Sequence, residues 1–198
     1  MPKQNRLTRR ESQEYTRQRL LDVAVEIFME KGFERASVDE IAEQAGYSKG
    51  AVYSNFASKE DLALAILDRR IEQQLEALAM LIPARGGDPN FWISQGETGS
   101  KGPWDPLLME LLVRAFYNQD LRERLALQQK RVLDSAAAIL SGGNPPTQQQ
   151  RDAVILTIAL GNGLSMQYAV NPDPRLMQLY AQTVVHWFNE LALPSKTK

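Results

Sequence analysis

The stretch from Ser37 to Phe56 constrains this chain more than any other. Two helical patterns meet there across one glycine. The first opens at Ser37, whose hydroxyl can cap the helix, with Glu40 completing a Ser-x-x-Glu capping box, and it ends at Gly46. The second begins at Ser48 and runs to about Phe56. A small residue, Ala42, stands where one helix must cross the other. Four residues later, Gly46 takes the positive φ of a tight turn at little cost. Ile41, Ala45, Val52 and Phe56 have the phases to hold the pair together. Ser48 caps the second helix and aims free backbone N–H groups outward, which suits a phosphate. Behind it, Lys49, Gly50, Ala51, Tyr53, Ser54 and Asn55 leave a short, polar, mostly unbulky face able to enter a major groove. Ala-x-x-x-Gly alone also describes an ordinary helix pair. Here it coincides with two caps, a basic N-terminal arm and Phe56-x-x-Lys59, and the spacing predicts a helix-turn-helix over about 38–56.

The rest of the chain is also helical in pattern. Residues 1–14 read as disordered or weakly helical. From Tyr15, the residues Leu20, Val23, Ala24, Ile27 and Phe28 form one stripe at spacings of three and four. Gly32 is expected to end that helix as a left-handed cap, with Phe33 folding back on it. Ser58 starts a fourth helix, which Pro83 is expected to stop. Residues 83–103 are rich in glycine and proline and carry no clear period, so a mobile functional segment or a missed short helix is expected there. Helical patterning resumes at Trp104 and runs through Leu140, with a break near Asn118–Asp120. After a break at Gly142–Pro146, one helix covers about Thr147 to Val170 and a last one about Pro174 to Leu193. No window alternates as a strand does. The expected fold is all-α: an N-terminal three-helix domain, with helix four leading into a C-terminal helical bundle that dimerises. Domain boundaries are expected at 1–56 and 57–198.

A net charge of −1 argues against a nucleic-acid partner until its distribution is read. Residues 1–20 hold six bases (Lys3, Arg6, Arg9, Arg10, Arg17, Arg19) against two acids, whereas residues 21–70 hold six bases and ten acids. The basic excess is therefore confined to the arm. The absence of cysteine excludes disulfides and thiolate metal sites. With no signal-like N-terminus and no apolar run longer than Ala153–Leu160, a cytoplasmic protein with no membrane partner is expected.

Three segments carry a family resemblance. Ser37-Val38-Asp39-Glu40-Ile41-Ala42, then Ala45 through Phe56, then Ser58-Lys59-Glu60-Asp61-Leu62, together resemble the N-terminal signature of TetR/AcrR-like transcription regulators. The match covers about residues 15–65. The resemblance implies a homodimer that binds operator DNA and is released by a small effector held in the second domain. It places Ser37 and Ser48 at the starts of the two helices, with Ser37 near phosphate. Tyr47, Lys49, Gly50 and Ala51 fall where base edges are read, and Tyr53 and Lys59 on phosphates. Packing of the Tyr53 ring against helix one is a competing role, and Phe56 is expected in the core. The family often has a small aliphatic where this chain has Tyr47, and a ring-bearing residue where it has Asn55, so base preferences do not carry over.

Helix seven is apolar on nearly every side, which requires cover on two faces. A second subunit supplies the second cover in the expected homodimer, with Ala159 and Gly163 permitting close approach. Candidate effector contacts are Trp92, Trp104, Met109, Phe116, Asn162 and Met166, although aromatic and Met residues at helical spacing commonly pack cores. His186, the only histidine, reads as a surface or interface residue. No catalytic residue, cofactor or metal site is expected, since no nucleophile motif, phosphate loop or ligand cluster is present. The function implied is that of a repressor released from its operator by a largely apolar molecule. The alternative is a helix-turn-helix protein regulated by a protein partner.

Overall fold

The computed structural model describes residues 8–85 and 106–187. Those residues form eight helices and no strand: α1 (Arg9–Arg35), α2 (Val38–Ala45), α3 (Lys49–Asn55), α4 (Lys59–Arg85), α5 (Pro106–Ala115), α6 (Gln119–Leu140), α7 (Gln148–Val170) and α8 (Arg175–Trp187). The all-helical expectation holds. The chain divides into two compact units. One contains residues up to Arg70 together with Pro106–Arg122, and the other contains Ile71–Asp105 and Glu123–Lys198. The compact division thus differs from a cut at 56/57, because the start of α4 and the whole of α5 pack with the N-terminal helices.

Several helix ends fall elsewhere than expected, each for a local reason. α1 begins at Arg9, six residues ahead of Tyr15, because Thr8 and Glu11 form a reciprocal capping box. Thr8 accepts from the Glu11 N–H at 3.2 Å, and the Glu11 carboxylate accepts from the Thr8 N–H at 2.7 Å. These bonds hold the Glu11 carboxyl below its ordinary pKa. Arg9 and Arg10 therefore sit on a helix and not in an unstructured arm. α4 passes Pro83 and continues to Arg85, since proline forfeits one backbone donor while its φ stays helical. The break expected near residue 118 is present: Asn118 Oδ1 accepts from the Leu121 N–H at 3.0 Å and opens α6.

In the first unit the apolar stripe of α1 (Leu20, Val23, Ala24, Ile27, Phe28) is buried, as are Ile41, Val52, Leu62, Ile66 and Leu111 from the other helices. Arg69 of α4 reaches α1, donating to Gln18 Oε1 at 3.2 Å and Asp22 Oδ1 at 2.7 Å. The end of α1 is the most elaborate part. Gly32 has φ 77° and ψ 166°, so it makes a kink and not the left-handed cap expected. The kink drives Phe33 to full burial, 5.6 Å from the Phe28 ring centroid. The Phe33 N–H, freed from the helix ladder, donates to Glu110 Oε2 of α5 at 2.8 Å. Arg114, one turn further along α5, pairs with Glu34 and with Glu60, and its guanidinium lies 5.0 Å from the Phe33 ring centroid.

The second unit has a small core of Ala136, Ala137, Leu140, Ala153 and Val154, against which Leu75, Leu78, Leu133 and Ile158 pack. α7 opens with a second reciprocal box, Thr147 with Gln150, and the Gln150 amide also reaches Leu140 O at 3.4 Å. α8 buries Ala181, Val184 and Val185. At 23 residues, α7 is long and apolar enough to cross a bilayer by length and composition, yet only 22% of its most apolar window is buried. The expectation that no segment reaches that length is corrected, because Ala153–Leu160 is extended by uncharged neighbours. Its exposed positions form a stripe at spacings of three and four: Leu156, Ala159, Gly163, Met166 and Val170.

Gly32 and Gly46 test the first unit. At Gly32 the backbone lies in a region almost confined to glycine, and a Cβ would meet Glu110 Oε1 at 2.9 Å. Gly32→Ala is expected to destabilise by about 1–3 kcal/mol. At Gly46 a Cβ has open space, and Gly46→Ala is expected to cost about 1 kcal/mol through φ alone. Denaturant unfolding monitored by circular dichroism measures both, and a smaller loss at Gly32 than at Gly46 contradicts this account.

Candidate nucleic-acid interface

The expected helix-turn-helix is present as α2, a turn at Gly46 and α3. Ser37 caps α2, its hydroxyl accepting from the Glu40 N–H at 3.1 Å. The reciprocal half of the expected capping box is missing, because the Glu40 carboxylate pairs instead with Lys31 of α1. That partner raises the Lys31 pKa. Gly46 takes the left-handed conformation, φ 78° and ψ 29°, and closes α2 with its N–H directed to Ala42 and Glu43 carbonyls. The Tyr47 N–H then reaches back to Ala42 O at 2.9 Å. These bonds satisfy the last carbonyls of α2 and turn the chain sharply. Ser48 caps α3, accepting from the Ala51 N–H at 3.2 Å. Ile41, Ala42, Ala45, Val52 and Phe56 are all buried, as their phases required.

The outward face of the pair carries the expected reading residues. Ser48, Lys49, Gly50, Tyr53 and Ser54 are exposed, while Tyr47 and Ala51 are half-buried, and Ser37 is exposed at the head of α2. Tyr53 is 49% exposed, so about half of the residue is covered by the fold. Nothing in the fold demands glycine at position 50, where a Cβ would meet only Ser48 Oγ at 3.7 Å. Lys49 Nζ lies 2.9 Å from Asp39 of α2, and the hydrogen bond to that carboxylate raises its pKa. Both partners are well exposed, so the pair is weak and can be exchanged for another acceptor.

Lys59, expected at a phosphate, makes its contacts within the chain. Its ammonium donates to Phe33 O at 2.7 Å, Ala36 O at 2.9 Å and Glu34 O at 3.2 Å, and it lies 4.5 Å from the Phe33 ring centroid. Three carbonyls engage the three donors of an ammonium, so the residue caps the end of α1. Burial pushes its pKa down, partly opposed by Glu60 and Glu110. Helical spacing gives no hint of this role, because the acceptors lie 23–26 residues away.

Sequence reasoning also missed Arg17 of α1. Its guanidinium donates to Asn55 O at 2.9 Å and lies 4.3 Å from the centroid of the Phe56 ring. A basic arm residue with no periodic partner offers no signal for such a contact.

The expected effector residues are spread over the chain. Trp92 and Trp104 lie outside the described residues. Met109 and Phe116 belong to the first unit, in the middle of α5 and in the turn just after it, half-buried and 76% exposed respectively. Asn162 and Met166 belong to the second unit on α7, half-buried and 61% exposed. Among the described residues no group of three or more His, Cys, Asp or Glu could hold a metal ion.

Residues 20–66 match the family model described as bacterial regulatory proteins, tetR family. The transcriptional activator FasR of Mycolicibacterium smegmatis is 44% identical over 68 residues, which is 34% of this chain and 29% of FasR. The transcriptional regulator AcrR of Shigella flexneri is 33% identical over 124 residues, 62% of this chain and 49% of AcrR. The matches thus span less than half the length of these relatives. In fold, the chain is similar to Thermus thermophilus FadR, a TetR-family transcriptional repressor solved with lauroyl-CoA. That similarity has a TM-score of 0.60 at 19% identity, over 91% of this chain and 97% of FadR. With the crossed helices α2 and α3 inside the matched segment, residues 20–66 carry the N-terminal domain of the bacterial regulatory proteins of the tetR family, and the likeness to FadR along nearly the whole length is one of fold.

Proposed function

We propose that the protein is a homodimeric, sequence-specific DNA-binding regulator of transcription. In this reading it is a repressor released from its operator by a small, largely apolar effector, and it acts in the cytoplasm without enzymatic activity. The observation that carries the reading is the exposed face of α3: a capped helix offering Lys49, Gly50, Ala51 and Tyr53 beside the half-buried Tyr47. Glycine at 50 has no packing role there, and its value lies in letting a nucleic-acid surface approach. Residues 1–56 would read DNA, while residues 57–198 would dimerise and take the effector. Selection of bound fragments from random DNA by the full chain is the direct test, since enrichment of a two-fold symmetric sequence is expected. Affinity should fall on the order of 10³–10⁵-fold between about 50 and 200 mM salt if about six to ten phosphates are engaged per dimer. A flat response would contradict the assignment. FasR is an activator and FadR a repressor, so the sign of regulation is to be read from a reporter gene.

The exposed stripe Leu156, Ala159, Gly163, Met166 and Val170 supports the dimer. Together with Leu179 of α8, 51% exposed, it would give each subunit two helices of a symmetric four-helix contact. Met166 lies on this stripe, so an interface role competes with an effector role. In a dimeric reader the two α3 helices must sit about 34–36 Å apart or a multiple of it. An effector with unequal affinity for two spacings would shift that distance, and a change of about 100-fold in operator affinity needs about 2.7 kcal/mol of coupling. Met109 and Phe116 in the first unit, and separately Asn162 and Met166 in the second, are the residues to test as effector contacts. The lauroyl-CoA held by FadR is consistent with an apolar effector. One observation favours control by a protein partner instead: Val113, Phe116 and Tyr117 at the end of α5 are 60%, 76% and 91% exposed.

Sedimentation should give twice the 22.3 kDa chain mass at micromolar concentration. Gly163→Arg should yield the monomer and abolish tight operator binding. Met166→Trp should weaken effector binding with the dimer intact if Met166 is an effector contact, and should split the dimer if it is an interface residue. Lys49→Ala should lower affinity for the best operator about tenfold to a hundredfold and relax preference at particular base pairs, with thermal stability unchanged. Lys59→Ala should instead cost about 1 kcal/mol of stability, reduced from a fully buried value by its partial exposure. Its salt slope should match that of the unmodified chain, and a shallower slope would return Lys59 to the phosphate backbone.

A further inference from the structure

Resting on the DNA-reading assignment of α3, we infer that Arg17 is a positioning residue that sets the direction of this helix and thereby sequence discrimination. α3 has 7 residues, about two turns, too few to hold a direction by its own hydrogen bonds. Its N-terminal end is fixed by the Gly46 turn and the Ser48 cap. At its C-terminal end, Ala51 O accepts from Ser54 Oγ at 2.9 Å and Asn55 Nδ2 at 2.8 Å, and Val52 O accepts the Phe56 N–H at 2.9 Å. Those bonds are internal to the helix and its cap. The bond that ties this end to another element is the one from Arg17 of α1 to Asn55 O, at 2.9 Å.

The same guanidinium lies 4.3 Å from the centroid of the Phe56 ring, which is itself 4% exposed. A planar cation held by a buried ring on its face and a carbonyl at its edge has little freedom. Its charge also sits at the negative end of the helix. Arg17 therefore transfers the rigidity of α1, 27 residues long and packed through seven buried side chains, to a helix that lacks it.

A competing role is phosphate binding. Arg10 and Arg17 both line an open cleft of about 260 Å³ with Gln13, Glu14, Ser54 and Asn55. The two arginines differ in what they offer to it. Arg10 is exposed, whereas Arg17 is half-buried with its guanidinium already directed to Asn55 O and Phe56. Arg10 suits an incoming phosphate, and Arg17 suits the helix.

The test uses the full chain and its Arg17→Ala, Arg17→Lys and Arg10→Ala variants. Affinity is measured across salt for the selected operator fragment and for a random-sequence duplex, with helix content and thermal melting as controls. Arg17→Ala is expected to cut the operator-to-random ratio about tenfold to a hundredfold, leaving the random-duplex affinity and salt slope near those of the unmodified chain. Arg17→Lys keeps the charge but loses the planar fork, so it should restore little of the ratio. Arg10→Ala should do the reverse, keeping the ratio and shallowing the slope by about one for each phosphate no longer neutralised. If Arg17→Ala unfolds the chain, the lysine variant decides alone. Full restoration by lysine, or an alanine variant that shallows the slope with its ratio intact, makes Arg17 a phosphate contact and overturns the inference. An unmodified chain that enriches no sequence at all overturns the DNA-reading assignment, and this inference falls with it.

Discussion

The N-terminal unit is organised around one buried ring. Phe33 can reach the core because Gly32 breaks the α1 ladder in a conformation that side chains resist. Breaking that ladder strands backbone groups at the helix end, and stranded groups away from water are costly. Two other residues answer that cost: Glu110 takes the Phe33 N–H, and Lys59 covers the Phe33, Glu34 and Ala36 carbonyls. Arg114 adds a side-chain link by joining Glu34 to Glu60. Because these partners come from α4 and α5, the end of α1 is where three elements become one unit. Both cations also lie close to the ring centroid, at 4.5 and 5.0 Å, so the aromatic face serves the same junction.

This arrangement explains how two short helices can act as a rigid reader. α2 and α3 have 8 and 7 residues, lengths at which isolated helices are marginal in water. Their order comes from outside: serine caps at both starts, the Gly46 turn between them, buried Ile41, Val52 and Phe56 beneath, and two contacts from α1. Lys31 meets Glu40 at the head of α2, and Arg17 meets Asn55 at the tail of α3. The long first helix thus works as a splint for the short pair. On the exposed face Ser48 caps α3, while Lys49 is paired with a solvent-exposed carboxylate and position 50 meets only Ser48 Oγ.

The second unit follows a different logic. Its core is built from small residues, Ala136, Ala137 and Ala153 with Leu140 and Val154, and only 22% of the most apolar window of α7 is buried. Exposed apolar side chains favour association, since burial is worth roughly 25 cal/mol per Å². The small residues Ala159 and Gly163 sit on that uncovered stripe, where a partner helix could approach closely.

Much of this was legible in the amino-acid order. Helical period, glycine punctuation and serine caps are local features, so the eight described helices, the α2–α3 turn and the buried stripe of α1 could be read from spacing alone, whereas α8 buries Ala181, Val184 and Val185 and leaves the expected Leu179 exposed. Even the early start of α1 was written in Thr8 and Glu11, a capping box that the polar composition of the arm obscured. What spacing could not supply were the contacts between residues far apart in the chain. Lys59 read as a phosphate contact and Arg17 as one base of the N-terminal arm, yet each ends on backbone carbonyls 23 to 38 residues away. The membership of α5 in the N-terminal unit is of the same kind, for its Glu110 and Arg114 partners lie 77 and 80 residues earlier. Local hydrogen bonding and side-chain period belong to the sequence because they depend on neighbours within one turn. The choice of acceptor for a long charged side chain depends on which backbone groups the packing leaves unpaired, and only the tertiary structure decides that.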